Sequence, residues 1–223
     1  MENKTSKYFK YAIGEIILVV IGILIALQIN NWNEARKSHK ASILFMNNLQ
    51  VDLEEDFKQI SKIIKLQNER FYFLDSLIKI SREQPHVTKT SNDEILQTGR
   101  NETFFPVVGA YKSAQETGTV NNLKNEKLKF AIINLYEFHY PRLGYNGELN
   151  DRRHEDVEWE SRAYINHDIL GFNFNSSALN DANFITQIGY LNKFTRIYKT
   201  RAEDIKVAMS DILEMLKEEL ASL

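Results

Sequence analysis

The residues best suited to chemistry lie between positions 139 and 168. His154 and Glu158 are four residues apart, one turn on a helix, and imidazole and carboxylate groups are ligands for zinc. The other nearby candidates are His139, His167 and Asp168. The paired histidines of the zinc-protease motif are missing, and a charged, solvent-facing helix with pairs such as Arg152 and Asp156 explains the same residues. We therefore predict no metal and no cofactor.

Other catalytic patterns are also missing from the sequence. No serine lies in a Gly-x-Ser-x-Gly turn, no glycine-rich phosphate loop precedes a helix, and no strand–helix–strand alternation is visible. The chain contains no cysteine, which excludes disulfides, thiol nucleophiles and thiolate metal sites. We predict that the protein is not an enzyme, and an enzyme using residues 139–168 is the least favoured hypothesis.

An aromatic set between positions 104 and 159 is a second candidate site. Its members are Phe104, Phe105, Tyr136, Phe138, Tyr140, Tyr145 and Trp159. Such side chains can line a ligand pocket between helices, although aromatic residues at helical spacing more often fill a core. The set keeps open a ligand-sensing function, with core packing as the favoured explanation.

The composition predicts an all-α protein and argues against nucleic-acid binding. The 223 residues carry a net charge of -2 and show no basic face, which nucleic-acid binding requires. Only three prolines and nine glycines interrupt a sequence rich in helix formers.

The elements that hold these residues begin with an apolar segment near the N-terminus. Residues 16–27 contain no polar side chain, and residues 13–32 together reach the length of about 20 that crosses a bilayer. The small residues of a signal-peptide cleavage site are missing after it, which favours an uncleaved anchor. The predicted organisation is a tail over residues 1–12, a transmembrane helix over 13–32 and an extramembrane domain over 33–223.

The flanking charges give the orientation of the predicted span. Three lysines lie in the short tail and three basic residues lie within positions 36–40, so the basic counts are equal. The lysines crowd into a short segment, whereas long domains cross a membrane largely regardless of charge. We therefore predict an inner-membrane protein with a cytoplasmic N-terminus and a periplasmic domain. Aromatic residues that would mark the two interfaces are Tyr8, Tyr11 and Trp32.

Small residues and one carboxylate share neighbouring rows of the span. Small residues four positions apart allow close approach of two helices in lipid, and an intramembrane carboxylate is expected to face protein or water. The candidate helix contacts are Gly14, Glu15, Leu18, Gly22 and Ala26. They predict a homo-oligomer or docking on another inner-membrane protein. The alternative is that small residues are simply common in spans and that Glu15 reaches the lipid headgroups.

Residues 7–34, which read KYFKYAIGEIILVVIGILIALQINNWNE, resemble a family of single-span membrane proteins of Bacteroidota classed as a domain of unknown function. A less specific second stretch runs from Ala110 to Ser113 and continues through Gly118, Leu123, Lys124, Asn125 and Leu128. The resemblance implies a membrane protein with a helical domain beyond the span, and it implies no activity.

Apolar residues at intervals of three and four predict two long helices in the domain. The first runs from about 33 to 82, is continuous with the span and stops before Pro85, and the second covers about 184–220. Between them we predict a polar loop over 86–105 and helices over 107–116, from Asn125 onward, and over 148–169. Pro141, Gly144 and Gly147 are expected to bend or break the helix that follows Asn125, and Phe172 and Phe174 to lie in a loop.

These elements favour an elongated antiparallel bundle behind a membrane anchor. The leading functional prediction is a membrane-anchored scaffold or accessory subunit whose partners are membrane lipid and a second copy or another inner-membrane protein. The alternative is a membrane-anchored sensor that binds a small molecule between its helices.

Overall fold

A computed structural model of the chain describes residues 3–83, 102–168, 171–174 and 176–222. Helix α1 runs without a break over Asn3–Glu83, 81 residues, or about 120 Å at 1.5 Å per residue. The prediction that the apolar segment and the first helix after it form one continuous helix is confirmed. The expected stop at Pro85 and the loop over 86–101 fall outside the described residues.

Helix α1 changes character along its length. Its first part contains a segment long and apolar enough to cross a bilayer, and none of that segment is buried against the rest of the chain. Further along, apolar residues three or four positions apart turn one face into the core, for example Leu49, Leu53 and Ile60, each fully buried. The chain therefore has the single candidate span that the sequence predicts, within the part that the structure describes.

Three helices follow the 102–108 segment, which is neither helix nor strand. Helix α2 covers Gly109–Glu116, and Gly118 after it adopts a φ of +72°, the left-handed conformation that suits glycine at a helix end. Helix α3 covers Glu126–Asn134, and the side chain of Asn125 accepts a hydrogen bond from the backbone N–H of Leu128, as predicted for a helix starting there. Helix α4 covers Tyr140–Ser161.

The break expected at Pro141 is replaced by a π-helical turn. Residues Leu135–His139 form this turn between α3 and α4, and the chain remains helical through Pro141, Gly144 and Gly147. Proline has no N–H and its ring crowds the carbonyl four residues earlier, and one wider turn accommodates both effects without ending the helix. Of the two predicted outcomes, a bend or a break, the break was wrong, because the helix continues through all three residues.

The helix predicted over 148–169 also needs correction, since α4 ends at Ser161. A short 3-10 turn, Arg162–Tyr164, leads into strand β1, Ile165–Asp168, which pairs antiparallel with strand β2, Gly171–Phe174. In β2, Phe172 and Phe174 lie two positions apart with Asn173 between them, a pattern that favours a strand over a loop, whereas β1 is polar after Ile165 and has no such signal. Apart from this hairpin, the elements over the described ranges are helical, so the all-α class is confirmed in outline.

Helix α5, Ala182–Ala221, follows a second 3-10 turn, Ser176–Asn180. The carboxylate of Asp181 caps its start, accepting hydrogen bonds from the N–H groups of Asn183 at 2.7 Å and Phe184 at 3.2 Å. Its 40 residues match the predicted length of nearly 40. Helices α5 and α1 run in opposite directions, because Lys206 lies over the ring of Phe57 whereas Phe184 shares a buried cluster with Leu74.

Hydrogen bonds between three buried polar side chains join three of these helices. The amide of Asn150 in α4 donates to Oε1 of Gln67 in α1 at 3.3 Å, and its oxygen accepts from the hydroxyl of Thr195 in α5 at 3.3 Å. All three side chains are buried. Because buried polar groups must find hydrogen-bond partners, these two bonds fix how α1, α4 and α5 align.

Candidate functional site

The predicted helix contacts of the span are all exposed. Gly14, Glu15, Leu18, Gly22 and Ala26 lie on α1, and their side chains or α-carbons face outward, with Leu18 73% exposed. A Cβ atom added at Gly14 or Gly22 would meet nothing within 4 Å. Packing within the chain therefore does not require either glycine, and the space beside them is open to another helix.

At the end of the candidate span, Trp32 and Arg36 lie together. The guanidinium carbon of Arg36 is 5.5 Å from the centre of the Trp32 ring, and the ring is 65% exposed. Tryptophan is enriched where membranes meet water, so an exposed Trp32 agrees with its prediction as an interface anchor. The other predicted anchors, Tyr8 and Tyr11, lie on α1, but their side chains are outside the described ones.

The predicted histidine and acid set is not gathered into one place. Nε2 of His139 is 3.0 Å from the amide nitrogen of Asn134, at the end of the π-helical turn, whereas His154 and Glu158 lie further along α4. Among the described side chains, no three histidine, aspartate or glutamate residues are placed to hold a metal ion. His167 and Asp168 lie in β1, and their side chains are not among those described.

The predicted aromatic set divides into two groups. Phe104, Tyr136 and Tyr140 are buried and pack edge to face, with ring centres 4.9 to 5.1 Å apart. The remaining members are exposed and lie apart from that group: Phe105, Phe138, Tyr145 and Trp159. The buried members fill the core, so the set does not line a single pocket.

Sequence reasoning missed the acid at the centre of the buried group. Oδ1 of Asp56 accepts a hydrogen bond from the N–H of Val107 at 2.8 Å, and Oδ2 accepts one from the hydroxyl of Tyr140 at 2.7 Å. The pKa of Asp56 is raised to about 6, chiefly by burial and in smaller part by the neighbouring carboxylates of Asp52 and Glu55, while the two hydrogen bonds act in the opposite direction. The available signal was an aspartate at a core position of the repeat in α1.

Asp56 belongs to a row of polar residues that holds the 102–108 segment against α1. Four residues before it, Oδ2 of Asp52 accepts from the N–H of Ala110 at 3.0 Å, in the first turn of α2. Three residues after it, Gln59 accepts from the N–H of Phe105 at 2.7 Å and donates to the same residue's carbonyl at 3.2 Å. The row therefore binds backbone, which is a structural role rather than a catalytic arrangement.

A groove outside the core lies where α3, the π-helical turn and α5 meet. It has a volume of about 680 Å³, within the range of small-molecule sites. Phe130, Ala131 and Met215 give it an apolar floor and wall, and Phe130 is 72% exposed. His139 also lines the groove, and burial lowers the pKa of its imidazole.

The rim of this groove carries more negative than positive charge. Asp211, Glu214 and Glu218 lie on one side of α5, and Lys127 lies on α3. An aromatic ring next to several carboxylates suits an organic cation, which can contact the ring face and pair with an acid. Sequence reasoning did not find this groove, because its residues come from helices far apart in the chain.

Residues 15–220 match a protein family described as a family of unknown function (DUF6090). Comparison with curated proteins and with solved structures gives no match.

Proposed function

Because the chain belongs to the family of unknown function DUF6090 over nearly its whole length, and this membership names no activity, we propose a function from its own geometry. The protein is a single-pass membrane-anchored scaffold or accessory subunit. It associates with a second copy through the exposed face of its span that contains Gly22. The observation that carries this proposal is the open space beside Gly22 on a segment with no buried surface.

Insertion in a bilayer accounts for the exposed apolar segment. Ten large aliphatic side chains between Ile16 and Leu27 lie on a segment of α1 that is not buried against the rest of the chain. Each contributes roughly -0.3 to -0.6 kcal/mol to membrane insertion, and the charge of Glu15 lies at the end of the segment, where its cost is smaller. We place the segment in the inner membrane of a Bacteroidota cell, in keeping with the resemblance at residues 7–34, with the N-terminus cytoplasmic and the domain periplasmic.

A scaffold function agrees with how the domain uses its buried polar groups. Asp52, Asp56 and Gln59 bind the backbone of the 102–108 segment and of α2, and Asn150 joins three helices. These groups are engaged in holding the fold together. We therefore propose no catalytic activity.

The test measures the native mass of the full-length protein in detergent, for the wild type and for Gly22→Leu. Leucine fills the space beside Gly22, so the wild type is expected to be an oligomer and the variant a monomer. Val20→Leu is the matched control, because position 20 lies about 200° around the helix from position 22. Self-association through this face is contradicted if the wild type is monomeric, or if Gly22→Leu and Val20→Leu have the same oligomeric native mass.

The groove favours a second candidate function, a membrane-anchored sensor of an organic cation. Its volume, its exposed Phe130 ring and its acidic rim are the observations that support this alternative. A ligand that binds only the folded state raises the unfolding free energy by RT ln(1 + [L]/Kd), about 2.7 kcal/mol at a hundred times Kd.

The sensor is tested by thermal unfolding with aliphatic and aromatic amines, using carboxylic acids of the same size as controls. A rise in Tm with an amine that is lost in Phe130→Ala supports the sensor. Because Phe130 is exposed, its truncation is expected to leave the fold intact. No change with any amine, or the same rise in Phe130→Ala, contradicts a site at this groove.

A further inference from the structure

We propose that the pairing of two copies continues beyond the membrane, along the face of α1 that turns away from the domain core. This outer face is defined by Asn33, Leu44 and Val51. The occupant of the face is the same face of a second copy, in parallel orientation. The inference rests on the proposed self-association of the span and extends it to the domain.

Two exposed aliphatic side chains mark the outer face. Leu44 is 62% exposed and Val51 is 66% exposed, although both lie on a helix whose other side is fully buried. Val51 is two residues from both Leu49 and Leu53, and two residues correspond to about 200° around a helix. Val51 therefore points away from the core, and Leu44, seven residues earlier, shares its side of α1.

The outer face continues the face of the span that contains Gly22. From Gly22 the intervals are four residues to Ala26, seven more to Asn33, eleven more to Leu44 and seven more to Val51. These intervals are close to one, two, three and two turns of 3.6 residues. Because α1 is one unbroken helix over Asn3–Glu83, the span and the domain present these residues on the same side.

Membrane insertion limits the geometry of the pair. Two copies inserted by the same route have the same orientation, so spans that meet at Gly22 form a parallel pair with equal residues at equal heights. Leu44 lies about 33 Å beyond Gly22 along the helix, and Val51 about 10 Å further. Two helices in contact at Gly22 bring these side chains towards their counterparts, and burying them provides a hydrophobic gain that the single chain lacks.

Polar residues on the same face set the alignment of the two helices and limit the length of their contact. The Asn33 amides lie at equal heights, where two amides can bond to each other, as a polar residue inside a coiled coil does. Lys40 also lies on this face, close to the membrane, where its long side chain can turn towards lipid phosphates. Beyond Val51 the next positions on this side, at intervals of seven residues, are Lys58 and Lys65, whose charges resist burial, so the close pairing is expected to end near Val51.

Cysteine crosslinking of the full-length protein in membranes tests the outer face, because the natural chain contains no cysteine. The variants are Leu44→Cys and Val51→Cys. Val207→Cys in α5 is the matched control, a valine of similar exposure at 62% on the other long helix. After mild oxidation we expect a disulfide-linked dimer from the two α1 variants at a yield at least five-fold above that of the control.

The outcomes separate this inference from the proposed function. If the wild type has a dimeric native mass that Gly22→Leu abolishes, but positions 44 and 51 do not crosslink, the outer-face pairing is wrong and span association stands. If the wild type is monomeric and no position crosslinks, both fail.

Further results test the outer face and its continuity with the Gly22 face. Equal yield from Val207→Cys indicates random collision and overturns the pairing, as does an adduct whose mass belongs to a different protein. Crosslinking of Val51→Cys that falls when Gly22→Leu is added confirms that the two parts of the face act together, and crosslinking that persists unchanged overturns their continuity.

Discussion

The hydroxyl of Tyr140 donates a 2.7 Å hydrogen bond to Oδ2 of Asp56, which lies 84 positions earlier in the chain. The other carboxylate oxygen, Oδ1, accepts the N–H of Val107. One buried side chain thus joins α1, α4 and the 102–108 segment. The two donors, the N–H of Val107 and the hydroxyl of Tyr140, require an acceptor at this buried site, which an apolar side chain could not supply.

The raised pKa of Asp56 makes the stability of the domain depend on pH. The folded-state pKa is about 6, above the ordinary value of 3.8, so between these values the folded state binds more protons than the unfolded state. The contribution of this group to the unfolding free energy is fully present below pH 3.8 and is lost as pH rises through 6. At about 1.4 kcal/mol per pKa unit, the loss is roughly 2 to 3 kcal/mol.

The measurement compares urea unfolding of the wild type and of Asp56→Asn at pH 4, 5, 6 and 7. Asparagine has no charge to bury, and its amide can accept one of the two hydrogen bonds and donate to the Tyr140 oxygen. The stability difference, variant minus wild type, is expected to move in favour of the variant by about 2 kcal/mol from pH 4 to pH 7. The comparison cancels other groups, such as Asp181, whose pKa is lowered by its bonds to Tyr164 and to the backbone. A difference that does not change with pH would falsify the ionisation of a buried Asp56.

Gly147 lies where α4 packs tightly against Thr103 and Tyr198. A Cβ atom added there would lie 3.1 Å from Cγ2 of Thr103 and 3.3 Å from Cε2 of Tyr198, whereas one added at Gly144 would meet nothing within 4 Å. Gly144→Ala is therefore expected to stabilise the domain by about 0.5 to 1 kcal/mol through helix propensity. Gly147→Ala is expected to destabilise it by about 1 to 3 kcal/mol, because two packed side chains must move.

Both variants place alanine in α4 and differ in the packing around the new methyl group. Comparing their unfolding free energies by chemical denaturation therefore isolates the effect of packing. Equal stability of Gly147→Ala and Gly144→Ala would show that α4 can move away from Tyr198 at little cost. That result would contradict the close packing at Gly147.

The long helices could be predicted from sequence because their signal is local and repeated. Apolar residues every three or four positions predicted the lengths of α1 and α5. Asn125 predicted the start of α3, because helix capping depends on one side chain and the turn that follows it. The exposed face at Gly22 was also a local pattern, since small residues four apart can be counted in any helix. Such features depend on neighbouring residues alone.

The features that sequence reasoning missed depend on residues far apart in the chain. Pro141 predicted a break, but packing of Tyr136 and Tyr140 in the core stabilises a π-helical turn in its place. The hairpin at Ile165–Phe174 was assigned to a helix and a loop because its strands are only four residues long. Asp56 interrupts an apolar repeat, but its partners, Val107 and Tyr140, could not be identified without the fold.

Tyr198 anchors the 102–108 segment to α5, and removing its hydroxyl tests that anchor. The oxygen accepts from the N–H of Phe104 at 2.9 Å and donates to the carbonyl of Glu102 at 3.2 Å, and the tyrosine is fully buried. Tyr198→Phe leaves a buried N–H without this acceptor, so the domain is expected to lose about 1 to 3 kcal/mol of unfolding free energy. Hydrogen exchange at the amide of Phe104 should accelerate more than exchange in the middle of α1, because the segment opens locally before the whole domain unfolds. Tyr72→Phe, at an exposed tyrosine of α1, is the control and is expected to change neither quantity. If Tyr198→Phe matches that control in both measurements, the anchor contributes nothing, and the segment is held by its other contacts, among them the row of Asp52, Asp56 and Gln59 and the hydrogen bond from Thr103 to Asp151.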